Sequence, residues 1–172
     1  MSWWETALYD TCSLITLDKL YQERPSLSQF FPAKILALGV SLSIEQMREE
    51  TAARLKARVQ LCALPPPAEL ACLLSAQGLS KALSDVDRLV YATALFFNVA
   101  VVTGDKRLAK AARHRGLEVG NVALILRELV ETKKLTSSSA EDLLRGLAHR
   151  KDYLLGVPNP TWHDLKKHIF PN

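Results

Sequence analysis

The segment Leu83-Ser84-Asp85-Val86-Asp87-Arg88-Leu89-Val90-Tyr91-Ala92-Thr93-Ala94-Leu95, followed by Val99-Ala100-Val101-Val102-Thr103-Gly104-Asp105, decides the fold. Ser84 fits an N-cap and Asp87 sits three residues on, at the position where an acid can reach back to the cap. Leu89, Val90, Ala92, Ala94, Leu95 and Phe96 then form a broad apolar helical face. Val99 to Val102 is a short apolar run suited to a strand covered on both faces. Thr103-Gly104-Asp105 ends it at the strand's carboxyl end, the edge where open α/β sheets place their ligands.

Upstream, Thr6 to Tyr9 predicts a first strand with Asp10 at its carboxyl end. A helix from about Ser13 to Gln22 follows, closed by Arg24-Pro25-Ser26. Ser26 to Ala33 reads as loop, with Phe30 and Phe31 packed on the body. Lys34 to Val40 predicts a second strand. Ser41 or Ser43 then caps a long helix reaching about Leu61, with Ile44, Met47, Leu55 and Val59 at helical spacing. Leu64-Pro65-Pro66-Pro67 stops it and reads as a joint between helices; Ala68 to Ala76 predicts another helix, and Gln77 to Ser80 a turn. Downstream of Asp105, Lys106 to Arg115 is a basic helix ended by Gly116. Leu117 to Val119 predicts a short strand, and Asn121 to Lys134 and Ala140 to His149 predict helices. Strands alternating with helices argue for a parallel α/β sandwich.

The chain has 172 residues, enough for one domain with a substantial core, and its 48% apolar and 23% charged content is that of a globular protein. A net charge of +4 is mild but permits a polyanionic partner. The cysteines Cys12, Cys62 and Cys72 lack metal-type spacing and read as reduced thiols, consistent with a cytoplasmic protein. No apolar run approaches a membrane span, and Met1 to Tyr9 does not read as a signal peptide.

Two carboxylates delivered to one sheet edge point to a metal. The order of motifs also resembles a known family, the PIN domain ribonucleases, and in particular the VapC-like toxins of toxin–antitoxin pairs. The resemblance is carried by Tyr9-Asp10-Thr11-Cys12-Ser13-Leu14-Ile15, by Leu83-Ser84-x-x-Asp87-x-x-Val90-x-Ala92-Thr93-Ala94, and by Thr103-x-Asp105 after an apolar strand. Together they cover roughly residues 5 to 125. The resemblance implies a PIN-like three-layer α/β/α sandwich with a central parallel sheet, one domain over 1–172 with 135–172 as a C-terminal helical extension. It implies a metal-dependent endoribonuclease, with Asp10, Glu45, Asp87 and Asp105 as catalytic and metal-holding acids. Glu45 is the best match to the family's second acid; Gln46 stands where an apolar residue is usual, and Glu49 is the alternative. Asp85 lacks the family's spacing from Ser84. Also implied are an RNA substrate, an antitoxin partner and a homodimer.

The chemistry suits those residue types. Hydrolysing a phosphodiester needs an activated water and neutralised phosphate charge, which Mg²⁺ or Mn²⁺ supplies. Such hard ions take carboxylates and water rather than imidazole or thiolate. Thr11 and Thr103 could orient a carboxylate or a water. Lys106, Arg107 and Lys110, with Arg113, His114 and Arg115, read either as a solvated helix face or as phosphate contacts. Each acid also has a local reading: Asp10, Asp87 and Asp105 as helix caps, Glu45 as a solvated helix acid. Trp3 and Trp4 read as packing residues, with base stacking as the alternative, and His163 and His168 carry no assignment. The rival functions are a non-catalytic PIN-like module binding RNA or protein, a PIN nuclease of RNA processing, and a phosphoacceptor signalling domain. The last lacks the acid pair it needs beside Asp10.

Overall fold

A computed structural model describes residues 2–43, 46–75, 82–152 and 154–170. Its centre is a five-stranded, all-parallel sheet in the order β3-β2-β1-β4-β5. The strands are β1 (Leu8–Tyr9), β2 (Ile35–Leu38), β3 (Val59–Cys62), β4 (Val101–Val102) and β5 (Val119–Gly120). The helices are α1 (Thr11–Glu23), α2 (Glu49–Lys56), α3 (Pro67–Ser75), α4 (Asp85–Phe97), α5 (Lys106–His114), α6 (Val122–Glu131), α7 (Ser137–His149) and α8 (Trp162–Lys167).

The strands are short, and their side chains separate two cores by simple alternation. Tyr9, Ala37 and Val102 enter one core, which they share with residues of α1, α2, α6, α7 and α8. Their neighbours Leu8, Leu38 and Val101 enter the other, with Val90, Tyr91 and Ala94 of α4 and Leu108, Ala109 and Ala112 of α5. This is a three-layer α/β/α sandwich. The chain leaves β1 through α1 towards β2 and β3, then returns through α3 and α4 to β4 on the other side of β1. Right-handed crossovers require that reversal to place α1 on one face and α4 and α5 on the other. The order therefore switches between β1 and β4.

Several expected boundaries move. The long helix expected from Ser41 or Ser43 to Leu61 is absent. In its place stand a 3₁₀ turn at Gly39–Leu42, the two-turn helix α2, and then β3. Val59 to Cys62 pairs in parallel with β2 over four residues, so tertiary pairing overrides a helical pattern whose apolar residues also suit an edge strand. The proline run after Leu64 accordingly joins a strand to a helix, not two helices. Ile44, Glu45 and the turn expected at Gln77 to Ser80 lie outside the described residues.

Residues beyond 135 belong to the body. Leu143, Leu144 and Leu147 of α7 and Leu165 of α8 are buried in the same core as Leu14 and Leu17 of α1. Trp4 is fully buried, 5.2 Å from the Phe31 ring, and Trp3 packs partly buried against the core. The Trp3 ring also covers Gly120, where it occupies the space a Cβ would need. Among the described residues no helix is long and apolar enough to cross a membrane.

Candidate functional site

Three acids from distant parts of the chain reach the carboxyl edge of β1 and β4, at the switch in strand order. Tyr9 pairs with Val102, so the residues that follow, Asp10 and Thr103, leave adjacent strands side by side. Asp10 is the N-cap of α1, with Oδ1 accepting from the Ser13 amide at 2.7 Å. The Thr103 hydroxyl donates to Asp10 Oδ2 and accepts from the Asp105 amide at 2.9 Å, tying the two acidic turns together. Asp105 caps α5, its Oδ1 accepting from the amides of Arg107 (2.6 Å) and Leu108 (2.9 Å). α4 runs back against the strands: only three residues separate its end from β4, so its first turn lies at the same edge. There Ser84 and Asp87 form a capping box, with Oδ2 of Asp87 accepting from the Ser84 hydroxyl at 2.6 Å.

Each acid thus satisfies a helix N-terminus, and three helix dipoles point their positive ends at one place. Capping does not exhaust the carboxylates. Among the described residues Oδ1 of Asp87 and Oδ2 of Asp105 make no hydrogen bond.

The electrostatics show the convergence. Asp10 is 1% exposed, and burial pushes its carboxyl above the usual range. The hydrogen bonds from Thr103 and Ser13 act against that rise, and Asp87 adds to it. Burial likewise pushes the Cys12 thiol up to about 11, with further contributions from Asp10, Asp87, Asp105 and Asp152. One thiol thus feels three of the four expected acids, together with Asp152.

Asp152 has no counterpart in the sequence reading. It follows α7, accepts from Thr16 (3.0 Å) and Lys19 (2.9 Å) of α1, and lines the cleft beside Asp105. That cleft, about 470 Å³, runs from Cys12, Gly104 and Asp105 towards Asn121 and the C-terminal His168 and Phe170. No local pattern marks Asp152 or His168, because tertiary packing of α7 and α8 brings them to the edge; Asn121 reaches it directly, as the residue between β5 and α6.

The remaining expected residues divide. Glu45 lies outside the described residues; Glu49 opens α2 on the exposed surface, and Asp85 is exposed at the start of α4. Thr11 Oγ1 is buried with no hydrogen-bond partner, an orphaned polar atom directly after Asp10. Lys106 lines the cleft, Lys110 is exposed, and the Arg107 guanidinium reaches the Ala82 carbonyl at 3.3 Å. Arg113 of the same basic run is structural: its Nη2 donates to the carbonyls of Val119 and Phe170.

Among the described residues no three His, Cys, Asp or Glu side chains stand as a ready cage for an ion. The oxygen-only donors, the buried carboxylate under unfavourable desolvation and the orphaned Thr11 hydroxyl fit a hard cation that keeps much of its own water. Comparison with family models, with characterised proteins and with solved structures returns no match for the chain.

Proposed function

We propose that the chain is a metal-dependent endoribonuclease of the PIN-domain type, acting in the cytoplasm as the toxin of a toxin–antitoxin pair. The observation that supports this reading best is the meeting of Asp10, Asp87 and Asp105 at the β1–β4 switch point, where the motifs carrying the resemblance require them. The free cysteines Cys12, Cys62 and Cys72 are in keeping with a reducing compartment.

In this reading Asp10, Glu45, Asp87 and Asp105 hold Mg²⁺ or Mn²⁺, Asp87 through its free oxygen. When bound, the cation neutralises phosphodiester charge and makes water a competent nucleophile. The protein's own part is positional. Thr103 fixes the spacing of the Asp10 and Asp105 turns through its two hydrogen bonds. Thr11 offers an unengaged hydroxyl to a water beside Asp10. Lys106 at the cleft and Lys110 on the next turn of α5 meet backbone phosphates, which positions RNA without reading its sequence. Arg107 joins them by leaving the Ala82 carbonyl. An antitoxin covers the acidic edge, and two copies of the chain associate as a homodimer.

The test is cleavage of total cellular RNA with Mg²⁺ or Mn²⁺, beside an EDTA control and the variants Asp10→Asn and Asp105→Asn. Cutting that needs the cation and is lost in both variants supports the reading. Folded protein that binds RNA equally with and without cation, and never cuts it, replaces it with the non-catalytic binding module.

A further inference from the structure

The cleft beside Asp105 is chemically mixed. Its lining joins Asp105 and Lys106 with the apolar side chains of Val122, Leu154, Leu155 and Phe170. At its His168 end the hydrogen bonds between Asn121 and the ring determine the protonation. Asn121 is the N-cap of α6, and its Oδ1 accepts from the Leu124 amide at 3.0 Å. The amide therefore presents Nδ2, which can only donate, to His168 Nε2 at 3.0 Å. The ring must accept there, so it is neutral and carries its proton on Nδ1. Phe170 is stacked behind it, with centroids 6.2 Å apart and planes at 16°. The segment is pinned by Arg127, which donates to the His168 carbonyl at 3.0 Å, and by Arg113, which donates to the Phe170 carbonyl. A held, half-buried, uncharged aromatic ring with an N–H at its margin is a stacking surface.

We infer that this end of the cleft receives one unstacked nucleobase of a single-stranded RNA, stacked on His168 against the apolar wall, while the adjoining phosphate lies at Lys106 and Asp105. The inference rests on the ribonuclease reading for its ligand and goes beyond it in specifying a base subsite. A volume of about 470 Å³ is in the range of small-ligand pockets and suits a single nucleotide, not a duplex. Unpaired bases are recognised by aromatic stacking, whereas duplex RNA is met through its backbone.

The test measures binding of a fluorescein-labelled, mixed-sequence 12-nucleotide RNA to the full chain in Ca²⁺. It is compared with its duplex and with a strand of the same length made wholly of abasic ribose phosphates. The expected result is that His168→Ala weakens binding of the single strand by about tenfold, within the range of one lost stacking contact. Binding of the abasic strand is unchanged, and His168→Phe restores binding of the base-bearing strand. Equal loss on both strands, or a duplex bound as well as the single strand, overturns the base subsite. Cleavage in Mn²⁺ separates the two readings. Wild type that binds in a base-dependent way without cutting keeps the subsite and sinks the nuclease, whereas wild type that cuts while His168→Ala treats both strands alike does the reverse. Wild type that ignores single-stranded RNA overturns the base subsite, and the nuclease reading then stands or falls on cleavage of total cellular RNA.

Discussion

Asp10 is where stability and proposed function oppose each other. Its carboxyl is buried and held above the usual range mainly by desolvation, so in the cation-free protein the folded state keeps a proton that the unfolded chain has released. Folded stability therefore falls as pH rises from the ordinary aspartate value through the raised one. Asp10→Asn retains an oxygen for the Ser13 amide and removes the buried charge. In EDTA at neutral pH it should raise Tm by about 2–4 °C, corresponding to about 1 kcal/mol, and abolish the pH slope. Melting curves of both proteins across that pH window check it; a lower Tm for the variant contradicts the assignment. Thr103 has a complementary role. Thr103→Val keeps the shape, but leaves the Asp105 amide without its acceptor and the Asp10 carboxylate without its donor. It should cost about 1–3 kcal/mol in denaturant unfolding, with Thr103→Ser close to wild type.

At the scale of elements, the helix starts were the most legible part of the chain. Ser84 with Asp87, and Asp105 before Lys106, carry their capping chemistry in the local sequence, and the structure forms both caps. β3 was not legible, because Val59-Gln60-Leu61-Cys62 follows a helical stretch without a breaker and becomes a strand only by pairing with β2. Its Leu61 is 62% exposed, as an edge strand with one open side permits. The contact between α6 and the C-terminal segment was equally hidden, since Asn121 and His168 are far apart in sequence. It makes a prediction of its own. Burial, Arg127 and Lys106 hold His168 below the ordinary histidine value. Between the ordinary value and the lower folded one the unfolded chain binds the extra proton, so docking of this segment weakens as pH falls through that window. Asn121→Asp still caps α6 and turns the donor facing Nε2 into an acceptor. The His168 pKa should then rise above the ordinary value, read by NMR titration of its ring protons; a value still below it contradicts the hydrogen-bond assignment.

Over the whole molecule, the alternation of strands and helices was enough to give an α/β sandwich, and the strand order explains why its acids meet. Had β4 joined the sheet beyond β3, Asp10 and Asp105 would lie at opposite sides of it. How the segment beyond 135 packs was not visible in any local pattern. Residues beyond 135 read as an extension, yet Leu147 is fully buried in the core that α7 shares with α1 and α6. Leu147→Ala should therefore cost about 2–5 kcal/mol, as for any buried leucine, and not the near-zero expected of an appendage. Urea unfolding monitored by circular dichroism distinguishes the two. The same packing supplies Asp152 and one wall of the cleft, so loss of α7 is expected to remove the proposed site together with the core.

The proposed role of the carboxylates at the β1–β4 edge is to hold a divalent cation. Calorimetric titration of Mn²⁺ into EDTA-stripped, buffer-exchanged protein addresses it without any assumption about the RNA. Saturable binding to wild type, lost in Asp10→Asn and in Asp105→Asn while both stay folded, is the expected result. Folded wild type that takes up no Mn²⁺, or variants that bind it as wild type does, would contradict it.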